Sequence, residues 1–170
     1  MGDIDGDGDL DLFVGGRVIA GRYPEAATSL LLKNEGGRFV PSQKWEKLGL
    51  VSGAVFSDLD GDGYPELILA CEWGPIRIFH NDHGNLTPWD WPVTLDNERS
   101  TLNAQLSTLN ELTGWWNGVT TGDLDGDGRL DIIATNWGWN SKYRTSRSHP
   151  RKVYYGDLDG NGTMDVVESY

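Results

Sequence analysis

One short acidic pattern occurs four times in this 170-residue chain, and it constrains the fold more than any other feature. The copies read DIDGDGDLDL, DLDGDGYPEL, DLDGDGRLDI and DLDGNGTMDV, and they begin at Asp3, Asp58, Asp123 and Asp157. We refer to them as loops 1 to 4. Like charges ~4 Å apart repel by about 4 kcal/mol at an effective dielectric constant near 20. Each loop must therefore stay open in water or bind a cation, and its recurrence indicates a repeat architecture.

The acidic positions of the four loops align at offsets 0, +2, +4 and +8 from the first acid. Of the chain's 26 acidic residues, fifteen occupy these positions, and an asparagine occupies the remaining one. The candidate side-chain ligands are Asp3, Asp5, Asp7 and Asp11 in loop 1; Asp58, Asp60, Asp62 and Glu66 in loop 2; Asp123, Asp125, Asp127 and Asp131 in loop 3; and Asp157, Asp159, Asn161 and Asp165 in loop 4.

This arrangement of oxygen atoms predicts calcium sites, up to four in the chain. Calcium takes six to eight oxygen ligands and tolerates irregular geometry, whereas magnesium prefers to retain its waters. The loops contain no cysteine or histidine, which makes zinc and copper poor candidates. Glycines at +3 and +5 permit the positive φ angles of a tight turn. We expect the fourth site to be the weakest, because Asn161 is neutral, and we expect a backbone carbonyl ligand from the residue at +6, which is Asp9, Tyr64, Arg129 or Thr163.

The loops have two other interpretations, an EF-hand and an acidic turn that binds no metal. An EF-hand requires a bidentate glutamate at position 12 and flanking helices. Position 12 is Val14, Leu69 and Ala134 in the first three loops, and Glu168 alone would serve. The segments on both sides of the loops are short and rich in β-branched residues, which predicts strands.

Each unit therefore predicts a strand, an acidic loop and a second strand, and further strands complete an antiparallel group of four. The first acids are separated by 55, 65 and 34 residues. The first two intervals suit one propeller blade each. We expect an all-β partial propeller of about three blades: blade 1 at about 1–50, blade 2 at about 51–94, an insertion at about 95–114 and blade 3 at about 115–170. Whether loop 4 belongs to blade 3 or to a further blade stays open. In the insertion, the spacing of Leu102, Leu106 and Leu109 is compatible with a short amphipathic helix.

The net charge of −12 argues against nucleic acid as a partner, because phosphate binding requires a basic surface. Four bound divalent cations would bring the net charge to −4. No apolar run is long enough for a membrane span. Acidic loops stand close to both ends of the chain and no signal peptide is visible, so we expect a fragment of a longer protein. Open sheet edges in such a fragment favour self-association.

The four loops, together with tails such as SLLLKNEGGRFVPS and IRIFHNDHGNLTPW, resemble the FG-GAP/VCBS repeat. This repeat is found in integrin-α-type β-propellers and in many secreted or surface bacterial proteins. The stretch from Gly114 to Gly138 is similar to bacterial members related to the cartilage acidic protein propellers. The resemblance implies a calcium-stabilised propeller outside the cell or in the periplasm. It also implies that the side chains at offsets 0, +2, +4 and +8 are the calcium ligands.

These observations favour a non-catalytic, extracellular scaffold for protein interaction or adhesion, in which calcium is structural. The chain contains no G-x-S-x-G, Walker or H-E-x-x-H motif. A carbohydrate-binding module, or part of a polysaccharide-active enzyme, is the alternative. This alternative is based on a set of tryptophans near equivalent strands, which would either stack on sugars or pack between blades. They are Trp73, Trp115, Trp116, Trp137 and Trp139.

Three other features have simple interpretations. Cys71 follows the apolar run ELILA and is expected to be a buried small hydrophobic residue. His80 and His83 lie beside Asp82 and could bind a metal, but a polar turn without a function is the expectation. The basic stretch Lys142–Lys152 is expected to be a solvated loop, with an acidic neighbour or an anionic partner as the alternative.

Overall fold

The computed structural model describes residues 1–95, 105–146 and 148–170. In this part of the chain there are thirteen β-strands and one short 3-10 helix, Leu109–Glu111. The strands are β1 Leu12–Val14, β2 Ser29–Glu35, β3 Arg38–Trp45, β4 Leu50–Ser57, β5 Glu66–Gly74, β6 Arg77–Asp82, β7 Asn85–Trp89, β8 Pro92–Leu95, β9 Gln105–Thr108, β10 Gly114–Gly122, β11 Asp131–Asn136, β12 Lys152–Gly156 and β13 Asp165–Ser169. The all-β prediction is confirmed.

Every strand pairing in these sheets is antiparallel. Strands β1, β2 and β3 form one sheet in that order, and β4, β5, β6 and β7 form a consecutive group of four. The first residues of β10 join the end of β5, where Trp115 pairs with Glu72, and β10 then continues alongside β11. Strands β8 and β9 form a separate hairpin, as do β12 and β13.

Strand β5 lies between two hydrophobic cores, and its sequence explains why. The run ELILAC has no polar alternation, which is typical of a strand that is buried on both faces. Leu67, Leu69 and Cys71 face the core shared with the β1–β3 sheet. Ile68 and Ala70 face the core shared with β10 and β11. The β4–β7 sheet is therefore packed between its neighbours.

Loops 2 to 4 each join two antiparallel strands, as the sequence predicted. Loop 1 leads into β1, and a Gly2–Asp11 bridge stands where the preceding strand would be. Loop 2 joins β4 to β5, loop 3 joins β10 to β11, and loop 4 joins β12 to β13. Strands rather than helices follow each loop, so the EF-hand interpretation is excluded.

The helix proposed for the insertion is wrong where the structure describes it. Leu106 lies in strand β9, which pairs with β8, and Leu109 opens the 3-10 helix and packs against the second core. Leu102 lies outside the described residues. Pairing with β8 satisfies the backbone of β9 and overrides the weak i, i+4, i+7 pattern. Among the described residues, no helix has the length and apolar character needed to cross a membrane.

Candidate metal centres

All four acidic loops are organised by the first acid, which accepts backbone hydrogen bonds with both carboxylate oxygens. In loop 2, Asp58 Oδ1 accepts from the N–H of Gly61 at 2.8 Å and Oδ2 accepts from Gly63 at 3.0 Å. The equivalent bonds in loops 1 and 3 are 2.7–3.0 Å long. In loop 4, the N–H of Asn161 takes the place of the first glycine donor. The backbone thus curls around the carboxylate.

The glycines at +3 and +5 make this turn accessible. All eight have φ between 74° and 91°, which is a left-handed conformation that side chains with a Cβ rarely adopt. The prediction that these positions need positive φ is confirmed. Replacing either glycine would therefore strain the loop regardless of the free space around it.

The acid at +8 closes each loop by accepting the N–H of the residue at +1. Asp11, Glu66, Asp131 and Asp165 accept from Ile4, Leu59, Leu124 and Leu158 at distances of 2.8–3.0 Å. One carboxylate oxygen therefore fixes the loop and the other remains for a further partner. At +4, an Asp or Asn oxygen accepts the N–H of the +6 residue at 2.8–2.9 Å in all four loops.

Three acids converge in each loop, with ligand atoms within 4.8 Å of one another. The convergent sets are Asp3, Asp5 and Asp11; Asp58, Asp60 and Asp62; Asp123, Asp125 and Asp127; and Asp157, Asp159 and Asp165. Asp7 and Asp131 fall outside these sets, and Glu66 instead converges with Asp60 and His80. Most of the predicted side-chain ligands are thus brought together: three of the four acids in loops 1 to 3 and all three acids of loop 4.

Loops 1 and 2 each receive a basic side chain from the second strand after the loop, which is β2 for loop 1 and β6 for loop 2. Lys33 Nζ lies 3.1 Å from Asp5 Oδ2, and His80 Nδ1 lies 3.6 Å from Asp60 Oδ2. His80 Nδ1 is also 3.3 Å from Glu66 Oε1. Lys33 and His80 occupy equivalent places in the two repeats, and both contact the acid at +2. His80 lies in strand β6 rather than in the predicted turn, and whether it binds a metal stays a prediction.

The same strands supply a backbone donor to the acid at +8. The N–H of Asn34 bonds to Asp11 Oδ1 at 2.8 Å, and the N–H of Asn81 lies 3.3 Å from Glu66 Oε1. Both acids are completely buried in consequence, with exposures of 1% for Asp11 and 0% for Glu66. These carboxylates are held by the protein on more than one side.

The Asn81 side chain joins loops 1 and 2. Its Nδ2 donates to the carbonyl of Ile4 in loop 1 at 2.8 Å and to the carbonyl of Pro65 in loop 2 at 3.1 Å. Its Oδ1 accepts the N–H of Gly84 at 2.8 Å. Because Asn81 is fully buried, these bonds are shielded from water.

Two loop carboxylates have shifted pKa values, in opposite directions. Burial raises the pKa of Glu66 above its ordinary value of 4.5, because desolvation disfavours the charged form. A side-chain hydrogen bond from Arg129 lowers the pKa of Asp127 below 3.8. Arg129 Nη2 lies 2.6 Å from Asp127 Oδ2 on an exposed surface. Burial therefore dominates in loop 2, and a local cation dominates in loop 3.

The donor set fits a hard cation such as calcium. Within the described loops the converging atoms are carboxylate oxygens, which calcium prefers and which suit zinc or copper less well. Asn161 retains an amide oxygen at +4 but already engages Thr163 and Asp159. The assignment of the +6 carbonyls as ligands stays a prediction.

The predicted tryptophan cluster forms at the opposite end of the β5 and β11 strands from the loops. The rings of Trp73 and Trp115 have centroids 4.8 Å apart, and those of Trp115 and Trp137 are 4.5 Å apart at an interplanar angle of 87°. These rings line a cavity of about 650 Å³ together with Trp116. Trp139 is 81% exposed and is not part of the lining. The alternative prediction, that a tryptophan packs against the core instead of facing a ligand, applies to Trp116.

Arg151 is inserted beside these rings, so the expectation that the whole basic stretch is solvated is wrong here. Its side chain is 14% exposed and forms an ion pair with Glu168. The guanidinium lies 5.3 Å from the Trp73 ring centroid and 4.1 Å from that of Tyr143. Cation–π attraction explains why a charged side chain leaves the solvent here.

A second polar network orients Trp73. Its Nε1 donates to the Tyr23 hydroxyl at 2.5 Å, and that hydroxyl donates to Glu72 Oε1 at 2.5 Å. Arg17 pairs with the other oxygen of Glu72 at 2.7 Å. Burial and the bond to Glu72 raise the pKa of Tyr23 to about 12. Cys71 is buried as predicted, and desolvation raises the pKa of its thiol.

Sequence reasoning missed Lys33, Asn34, Asn81 and Arg151. The first three could have been found from the sequence, because LLLKNEGG and RIFHNDHG align with each other as the second strand after a loop and the turn that follows it. The alignment places Lys33 over His80 and Asn34 over Asn81. For Arg151 no comparable signal exists, because its partners come from distant strands.

Comparison with family models gives a match to the FG-GAP-like repeat at residues 3–68 and again at residues 58–134. The two matches together span more than half of the chain and include loops 1, 2 and 3. The chain belongs to the FG-GAP-like repeat family. Its repeats are β-propeller-like and generally serve as non-catalytic interaction modules, in agreement with the antiparallel sheets described above. Searches among curated proteins and among solved structures gave no match.

Proposed function

We propose that this FG-GAP repeat chain is a calcium-stabilised interaction scaffold without catalytic activity of its own. The observation that carries the proposal is a loop architecture repeated four times, with the same backbone bonds to the acid at offset 0 and three converging acids in each copy. A cation would remove the repulsion between carboxylates that lie within 4.8 Å of one another in each loop.

A structural role for calcium follows from where the loops lie. Loops 2 to 4 each join two paired strands and loop 1 is closed by the Gly2–Asp11 bridge, so a cation that removes the repulsion between the carboxylates stabilises the hairpin directly. Extracellular calcium modules bind with Kd of about 10⁻⁴ to 10⁻³ M. Affinity in that range would keep the sites filled outside a cell and empty in the cytosol, which favours an extracellular, cell-surface or periplasmic location and a role in adhesion or protein interaction.

The first test is a thermal melt of the 170-residue chain in chelator and in calcium, with magnesium for comparison. We expect a calcium-specific rise in Tm that saturates at millimolar calcium. The absence of a rise, together with no bound calcium by elemental analysis, would contradict the proposal.

A matched pair of variants makes this test specific to the loops. Asp125→Asn removes one charge at +2 of loop 3 but keeps an oxygen for the N–H of Asp127, which bonds there at 3.1 Å. We expect an unchanged Tm in chelator and a smaller rise in calcium. Asp82→Asn alters an exposed acid outside the loops and should retain the full calcium response.

A further inference from the structure

We infer that the cavity beneath Trp137 is a binding site for a neutral oligosaccharide. The inference is independent of calcium binding, because the cavity shares no residue with the four loops. We call it the aromatic cavity; its rings are those of Trp73, Trp115, Trp116 and Trp137.

Three of the four indole rings of this cavity have their N–H groups bonded within the protein. Trp137 Nε1 donates to the carbonyl of Asn140 at 2.7 Å, Trp116 Nε1 donates to Leu112 at 2.9 Å, and Trp73 Nε1 donates to Tyr23. Their polar ends are thus satisfied within the protein. Trp137 is nevertheless 41% exposed. An exposed, held indole face matches the apolar C–H face of a pyranose ring, whose partially positive hydrogens are attracted to the electron-rich ring.

The rest of the lining supplies the polar groups that a sugar needs. Asn136, Ser141, Thr145 and Ser146 border the cavity with amide and hydroxyl groups. Arg151 also lines it, and its Nε is buried without a hydrogen-bond partner among the described atoms. A cavity of about 650 Å³ with aromatic walls and a few polar groups is typical of small-molecule sites.

Charge favours a neutral sugar over an acidic one. The charged residues of the described lining are Glu111 and Arg151, which have opposite signs. Arg151 is already paired with Glu168, and the chain carries a net charge of −12, which repels anions at long range. The occupant we propose is therefore an uncharged hexose or pentose oligomer, stacked on Trp137.

The test is a titration of intrinsic tryptophan fluorescence of the 170-residue chain in calcium. The probes are the glucose, mannose, xylose and N-acetylglucosamine hexasaccharides, with an oligogalacturonate as the charged comparator. We expect a saturable change with at least one neutral oligomer and weaker binding of the oligogalacturonate. No saturable change with any neutral oligomer, or equal binding of the charged one, would overturn the inference.

Three variants locate the binding. Trp137→Ala should weaken binding by about tenfold, because it removes the stacking face, whereas Trp137→Phe keeps a ring and should stay close to the wild type. Tyr154→Ala removes an aromatic ring that is 56% exposed but lies outside the cavity, and should bind like the wild type. Wild-type affinity in Trp137→Ala, or an equal loss in Tyr154→Ala, would overturn the site.

A measurement on the unmodified chain guards against misfolding of the variants. Indole N–H resonances of Trp115 and Trp137 should shift on addition of the bound oligomer, and that of Trp45, which packs in the first core, should not. Uniform shifts, or none at Trp137, would contradict the assignment.

Discussion

The acids at +8 divide the four loops into two pairs. In loops 1 and 2, Asp11 and Glu66 are completely buried and each has a second backbone donor from a neighbouring strand. In loops 3 and 4, Asp131 and Asp165 are half-buried, and within the described ranges their recorded backbone donor is the +1 residue of their own loop. The loop backbones are nevertheless alike in all four places.

The difference shows that the turn of each loop and the burial of its +8 acid are determined by different parts of the sequence. Alternating acids and glycines specify the turn locally, so it forms in each copy. The +8 carboxylate is buried by the second strand after the loop and by the turn that follows that strand. These are β2 and the β2–β3 turn for loop 1, and β6 and the β6–β7 turn for loop 2. Strands β12 and β13 pair with each other and with no other described strand. Loops 1 and 2 should therefore tolerate the loss of a ligand less well.

Truncation of the +8 acid should produce the largest contrast between the pairs. Glu66→Ala leaves the buried N–H of Asn81 and the part-buried N–H of Leu59 without their acceptor, so we expect a loss of about 3 kcal/mol of unfolding free energy. Asp131→Ala exposes the N–H of Leu124 to water and should cost about 1 kcal/mol or less. Urea denaturation in chelator measures both without a contribution from bound cations. Equal losses would remove the distinction.

The residue that joins loops 1 and 2 should come second in effect. Asn81→Ala removes two donors and one acceptor from a fully buried position, and we expect a loss of about 2 kcal/mol. Asn34→Ala is the matched change in the first repeat, where the side chain accepts one bond, from the N–H of Gly37 at 2.7 Å. Its cost should be about 1 kcal/mol. The same denaturation assay applies, and a larger loss in Asn34→Ala would contradict the role given to Asn81.

A smaller effect is expected on calcium affinity within the second pair, loops 3 and 4. Asn161→Asp gives loop 4 the same acids as loop 3, and calcium affinity depends on the number of charged ligands. We expect calorimetric titration to show tighter binding at one site, by about tenfold. Asn117→Asp adds a charge to β10 outside the loops and should leave the affinities unchanged. Stronger binding in both variants would indicate a general charge effect.

The pKa values should show the smallest difference. In chelator, carbon-detected NMR should find that Glu66 titrates above 4.5 and Asp127 below 3.8. The stability associated with the raised pKa of Glu66 is complete below its ordinary value and is lost as pH rises through the native pKa. For Asp127 the contribution is present above its ordinary value and is lost as pH falls through the lowered pKa. The reverse order of midpoints would refute the contrast.

Much of this architecture was predictable from local sequence. The spacing of acids and glycines predicted the four loops and the positive φ angles of Gly61 and Gly63. The apolar run from Glu66 to Cys71 predicted a strand, and the structure buries it on both faces. These features depend on contacts between residues close in sequence or on a simple pattern of apolar side chains.

The surroundings of the loops were not predictable in the same way. His80 contacts Asp60 across two strands, and Arg151 reaches Trp73 from a segment more than seventy residues away. Such contacts depend on sheet register, which a single sequence does not specify. At Leu106 a local pattern gave a wrong prediction. The leucine spacing suggested a helix, but the segment forms strand β9 and pairs with β8.

The Asn81 side chain has a consequence for how loops 1 and 2 would respond to a cation. It holds the carbonyls of Ile4 and Pro65 through one rigid amide, so neither loop adjusts without the other. Calcium bound as proposed at loop 2 would pre-order loop 1, and by thermodynamic linkage loop 1 would strengthen loop 2 by the same factor. Loops 1 and 2 would then fill cooperatively over a narrow range of calcium concentration, while loops 3 and 4 would fill as independent sites.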